Sequence, residues 1–122
     1  KKLNGKPWDS PLQPDPIKAI VDFDRQLKTH NIKLIVMPTP LKPTIHPEKF
    51  SARYVNPNAP IRNPSDLAFI EALVSEGILV FDPSKILFNA ARRSDQYLKT
   101  DTHWTPKAME CVATHLAKLI SR

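Results

Sequence analysis

The apolar positions of this chain switch between a helical and a strand period. In IKAIVDFDRQLKTHN, Ile17, Ile20, Val21, Asp24 and Leu27 fall in helical register. Pro16 stands near the first turn, and Asn31 suits a left-handed cap. IKLIVMP (32–38) follows, a short β-branched run that stops at Pro38 and predicts a buried strand. The pattern then repeats. NPSDLAFIEALVSEG offers Asn63 as N-cap, Pro64 at the first helical position, Leu67, Ile70, Leu73 and Val74 on one face, and Gly77 as the stop. ILVFD (78–82) is a second all-apolar strand, and PSKILFNAARR (83–93) predicts a short helix. Thr105-Pro106 opens a last helix with Met109, Val112, Leu116, Leu119 and Ile120 on one stripe.

Helix–strand–loop–helix–strand–helix order with all-apolar strands implies an α/β layered fold with a parallel sheet. Composition adds detail, because 13 prolines stand against 2 glycines. KPWDSPLQPDP (6–16) excludes helix and central strand, so residues 1–15 read as an extended lead-in and 16–122 as the domain. PTPLKPTIHPEKF runs into SARYVNPNAPIRNP, a loop of about two dozen residues with a short extended element near Tyr54. Loops of that length are uncommon unless they are functional. Two strands under these helices leave unpaired edges and too little sheet, so the expectation is part of a larger fold.

A formal charge of +6 suits an acidic partner. The basic residues are scattered, however, with only Lys1-Lys2 and Arg92-Arg93 adjacent, and no recognition motif accompanies them. A nucleic-acid binder is therefore the weakest class, and no nucleic-acid partner is expected. No apolar run nears the roughly 18–20 residues of a membrane span, so none is expected here. Cys111 is the single cysteine, which excludes an internal disulfide, and its place on the apolar side of the last helix predicts buried packing.

The stretch KTDTHWTPKA (99–108) carries the candidate chemistry. With residues 101–103 extended, Asp101 and His103 project on one side. A carboxylate beside an imidazole fixes its tautomer and stabilises the imidazolium, whereas the nearby helix N-terminus disfavours a protonated ring. Spacing alone leaves open both a hydrogen-bonded loop corner and a catalytic pair. Trp104 either walls such a site or staples the helix entry. A metal centre is not expected, since His30, His46 and His115 are not spaced to complete a ligand set with Asp101 and His103. Lys42 follows the first strand, where α/β loops line a ligand crevice, and it reads either as a contact to an anionic sugar or acetyl carbonyl or as a solvated lysine. Tyr97 and Lys99 carry the same two alternatives.

YLKTDTHWTPKAMECVATHLAKLI resembles the aromatic-x-(Arg/Lys)-Thr-Asp-Thr-His-Trp-(Thr/Asn)-Pro-x-(Gly/Ala) segment of the AlgJ/AlgX-type polysaccharide O-acetyltransferases, a branch of the SGNH-hydrolase-like superfamily. IKLIVMPTPLKPTIHPEKF resembles that family's strand, Pro-x-Pro-x-Lys turn and Tyr/His-Pro-Glu segment, and ILVFDPSKIL its intervening strand. Ala108 stands where the family commonly has Gly. The resemblance implies a flavodoxin-like three-layer α/β fold. Asp101 is then the orienting carboxylate and His103 the general base of a Ser-His-Asp triad, with no cofactor. The family's nucleophilic Ser lies downstream in a Gly/Ser-containing turn. Ser10, Ser51, Ser65, Ser75, Ser84, Ser94 and Ser121 lack that motif, so the expectation is an N-terminal half, inactive alone, that stops before its nucleophile. The implied function is transfer of acetyl groups onto hydroxyls of an extracytoplasmic or periplasmic polysaccharide, as in alginate biosynthesis. Its partners would be an acetyl donor, a polysaccharide acceptor and other polysaccharide-export proteins. An acetyl-esterase and a non-catalytic carbohydrate-binding or scaffold domain of the same fold are the competing readings.

Overall fold

Asp15, Asn63 and Thr105 each stand directly before a proline, and each opens a helix in the computed structural model. The reason is local. A short polar side chain accepts from a free amide of the first turn, while proline fixes the helical φ at a position whose N–H has no partner to lose. The structure describes residues 2–3, 6–7, 15–55 and 57–121. These fall into two units, Lys1–Leu34 and Ile35–Arg122.

In the first unit, β1 (Lys2–Leu3) and β2 (Lys6–Pro7) pair antiparallel, Lys2 opposite Pro7. The expected extended lead-in thus contains a short hairpin. Residues 8–14 of that lead-in lie outside the described residues. Helix α1 (Pro16–Thr29) starts where Asp15 accepts from the Ile17 amide at 2.9 Å. It ends where the Ile32 amide donates to Leu27 O at 3.0 Å, across Asn31 at φ 58°. Asn31 is the left-handed cap that the pattern predicts. Within α1, Asp22 accepts from Lys18 at 2.7 Å and from Arg25 at 2.9 Å.

In the second unit, β3 (Ile35–Val36) runs parallel to β4 (Leu79–Val80), with Ile35 opposite Leu79 and Val36 opposite Val80. The predicted strands are therefore both present and parallel, but each is shorter than its apolar run, and neither is buried as expected: Ile35, Val36 and Val80 are half-buried and Leu79 is exposed. A strand extends only as far as its neighbour pairs with it, and Pro38 and Pro83 close the ladder soon after. Between the strands the structure departs from the predicted loop. It contains α2 (Lys42–Ile45) and a 3₁₀ turn over Pro47–Lys49, and Tyr54 lies in a turn rather than an extended element. One helical turn is too short to leave a hydrophobic period in the sequence, which is why α2 was not foreseen.

Helix α3 (Pro64–Ser75) stops at Gly77, where φ is +76°. The Ile78 amide there donates back to Leu73 O at 3.0 Å. Its buried arc is centred on Leu73 with Phe69 and Ile70 half-buried, while Leu67 and Val74, predicted on the same face, are exposed. Helices α4 (Ser84–Ala91) and α5 (Pro106–Ile120) complete the unit, with α4 packed against both α2 and α5. Ile45, Leu87, Phe88, Tyr97, Ala108 and Val112 form one buried cluster, with Phe81, Ala91 and Trp104 against it. On α5 the buried residues are Ala108 and Val112, whereas Met109 and Ile120 of the predicted stripe are exposed and Cys111 is half-buried. Ala108 has no exposed surface, so only a small side chain fits at this position. No helix among the described residues is long and apolar enough to cross a membrane.

Candidate active site

The segment from Gln96 to Thr105 is a narrow hairpin that delivers the chain into α5. Tyr97 and Trp104 form its antiparallel bridge, and the Thr105 amide donates to Gln96 O at 2.9 Å. Beyond the bridge, the Leu98 amide donates to His103 O at 3.0 Å. Asp101 and His103 sit in the turn at the far end of this hairpin. They are not extended, as alternation assumes. Asp101 Oδ1 instead accepts from the His103 amide at 3.1 Å, an Asx turn, and from His103 Nδ1 at 2.6 Å. The same carboxylate oxygen thus holds both the backbone and the ring of His103. The ring donates through Nδ1–H, so Nε2 carries the lone pair and has no hydrogen-bond partner among the described residues. The His103 side chain is 82% exposed and that of Asp101 44%.

Residues 40–49 hold this hairpin in place. The Tyr97 hydroxyl donates to Pro40 O, and the buried Gln96 amide donates to His46 Nε2 at 3.0 Å. That bond fixes the His46 tautomer: its proton is on Nδ1, which donates to Glu48 Oε1 at 3.2 Å. Lys42 Nζ donates to Leu98 O at 2.5 Å, Lys99 O at 3.0 Å and Asp101 O at 3.0 Å. Lys49 pairs with Asp95 at the base of the hairpin, where the Thr105 hydroxyl donates to Asp95 O at 3.1 Å.

These contacts show where the structure places the other candidate residues. Tyr97 is 2% exposed with its hydroxyl donated to Pro40 O, so it supports the turn from below. Lys42 uses its donors on carbonyls of the turn, not on open space. Trp104 packs against the buried cluster, as a staple does. Lys99 is exposed beside the pair, and its carbonyl is among those Lys42 holds. Sequence gives no role to Gln96, and it marks His46 only within the His-Pro-Glu segment and as an imidazole outside any metal set. The signal for His46 was present in His46-Pro47-Glu48, an imidazole and a carboxylate at the same spacing as Asp101 and His103.

The loops after β3 and β4 line a cavity of about 240 Å³ that includes Pro38, Thr39, Arg62 and Ser84. The Asp101–His103 pair lies outside it, on an open face. Arg62 pairs with Asp82, whose Oδ1 also accepts from the Ser84 hydroxyl at 2.6 Å. Burial pushes the Asp82 carboxyl up, but Ser84 and Arg62 more than offset it and hold it below its ordinary value. Burial also raises the Tyr97 phenol, opposed in part by the nearby Trp104 indole, whose N–H makes no regular hydrogen bond among the described residues.

The Asp101 carboxyl is held below the usual carboxylate range, first by the hydrogen bond from the His103 ring and then by that from the His103 amide. The sign follows directly. A folded value below the unfolded one gives a contribution that is complete above about pH 3.9 and lost only as pH falls through the lower folded value. The pair therefore survives mild acid. A carbon-13 titration of the Asp101 carboxyl is expected to show its midpoint below the usual range, and a midpoint at or above about 3.9 contradicts the geometry.

A parallel strand pair among helices, with an Asp–His pair at the mouth of one of them, fits the SGNH hydrolase-like class of α/β domains. The family model described as "SGNH hydrolase-like domain, acetyltransferase AlgX" matches residues 6–122. The chain belongs to this AlgJ/AlgX-type family. Over 110 residues it is 30% identical to a probable alginate O-acetylase AlgJ of Pseudomonas syringae pv. tomato, an alignment covering 88% of this chain and 27% of the relative. The chain thus spans about a quarter of that relative's length, by the same 27%. No solved structure matches.

Proposed function

We propose that this chain supplies the acid–base half of a Ser-His-Asp acetyltransferase that moves acetyl groups onto hydroxyls of an extracytoplasmic polysaccharide, alginate being the acceptor that the AlgJ relative's name suggests. The observation that carries the reading is the 2.6 Å contact between His103 Nδ1 and Asp101, which leaves the basic Nε2 outward. The seryl nucleophile and the remaining layers of a flavodoxin-like fold come, in this reading, from outside residues 1–122.

The steps follow from that arrangement. His103 Nε2 takes the seryl proton as Oγ attacks the acetyl carbonyl, and gives it to the donor's leaving group as the carbonyl re-forms. A sugar hydroxyl then enters and loses its proton to Nε2 as its oxygen attacks the acetyl-serine. The seryl oxygen leaves and takes that proton back. Asp101 stays ionised throughout and stabilises the imidazolium in both halves, a role suited to a carboxyl held below its usual range.

Intact-mass analysis tests this on the product of the complete reading frame, with p-nitrophenyl acetate as donor. The expected result is an acetyl group on a serine, discharged faster by an alginate oligosaccharide than by water. Equal discharge in both makes the protein an esterase. Absence of any acetyl-serine removes the triad reading.

A further inference from the structure

We propose that Lys42 is the positioning residue of the Asp101–His103 pair, acting by gathering the carbonyls of the turn that carries it. The inference rests on the acid–base reading above only for its effect on rate, since the geometry stands on its own.

Lys42 Nζ lies 2.5 Å from Leu98 O and 3.0 Å from each of Lys99 O and Asp101 O. An ammonium has three donors and no acceptor, so this group is fully used. Carbonyl oxygens that converge repel one another, and a cation between them turns that repulsion into charge-assisted hydrogen bonds. Leu98 and His103 are tied by a backbone bond of 3.0 Å and His103 to the Asp101 side chain by the Asx turn, but the bond that closes the turn on Leu98 O, from the Asp101 amide, is long at 3.5 Å, and Lys42 meets that same oxygen. Fixing Asp101 O fixes the peptide plane next to the Asp101 side chain, and hence the direction from which its carboxylate meets His103.

The base of this support is itself rigid. Lys42 begins α2, whose Ile45 is in the buried cluster, and the next residue, His46, is 2% exposed and accepts from the Gln96 amide. One short segment therefore grips the hairpin at its start and at its tip. Lys42 donates to backbone carbonyls and not to the Asp101 carboxylate, so its hold on the pair runs through the peptide planes of the turn. A point charge also suits three oxygens that converge from different peptides better than the planar fork of an arginine does.

The test compares Lys42→Met with wild type in the complete protein by two readouts. With p-nitrophenyl acetate, kcat is expected to fall roughly 10- to 100-fold while KM stays within about twofold, because a displacement near 1 Å is enough to spoil proton transfer. Nitrogen-15 spectra of the His103 ring, which need no activity, are expected to pass from the Nδ1–H tautomer to a mixture. Wild-type kcat with a wild-type ring spectrum overturns the proposal. A raised KM with unchanged kcat and ring spectrum also overturns it, and makes Lys42 a substrate contact. If Lys42→Met does not fold, Lys42→Gln takes its place with the same criteria, since it retains an amide donor but loses the charge and the reach. If His103→Ala hydrolyses the ester as fast as wild type, the acid–base reading fails, and the ring spectrum still decides the role of Lys42.

Discussion

His103→Ala is expected to lower kcat for acetyl transfer by roughly 10²–10⁴-fold, the usual share of a positioned general base. The variant is also expected to fold as well as wild type. The side chain is 82% exposed and its hydrogen-bond partner among the described residues is Asp101, so its removal strands no buried donor. Substitutions of that kind normally change stability by less than about 0.5 kcal/mol. Loss of rate without loss of stability separates a catalytic base from a loop corner, the two possibilities the spacing leaves open. Asp101→Asn belongs with it. It keeps an oxygen for the Asx turn but removes the charge that stabilises the imidazolium, so rate falls while the hairpin stays. Steady-state kinetics beside thermal unfolding checks both. If His103→Ala retains wild-type kcat, or loses activity only by unfolding, the pair is structural.

The second large effect is on stability. Leu87→Ala is expected to destabilise the protein by about 2–5 kcal/mol, the range for removing a buried leucine side chain. Leu87 has no exposed surface, and it lies among Ile45, Phe88, Tyr97, Ala108 and Val112. That cluster is also the floor of the site. Ile45 belongs to α2, which carries Lys42, and Tyr97 belongs to the hairpin, which carries Asp101 and His103. A cavity at Leu87 is therefore felt by both partners of the clamp. Urea unfolding measures the loss, and a change below about 1 kcal/mol means that the cluster relaxes freely around the gap.

Some of this was legible in the sequence, for identifiable reasons. The starts of α3 and α5 were readable to the residue, since Asn63 and Thr105 cap and the prolines after them fix φ locally, whereas for α1 Pro16 marked only the first turn. Gly77 and Asn31 marked helix ends because a positive φ restricts which residues serve there. The positions of β3 and β4 were readable from their apolar runs, but their length depends on pairing, which no single segment encodes. Asp101 and His103 were readable as a pair, though through an alternation the chain does not use. The turn brings them together by a shared oxygen. The roles of Lys42 and His46 were not legible, because their partners lie 56, 57 and 59 residues away for Lys42 and 50 for His46. Contacts at that separation leave no periodicity and no spacing rule. Tyr97 shows the same limit: sequence leaves open whether an aromatic beside a motif meets substrate or supports a turn, and its burial is set by distant residues.

The most direct test of the acid–base account is acetyl transfer to an alginate oligosaccharide by the complete protein, wild type beside His103→Ala, with p-nitrophenyl acetate as donor. The account predicts acetylated oligosaccharide from the wild type and a loss of at least about 10²-fold in its rate of formation for His103→Ala. Equal rates in the two proteins contradict it.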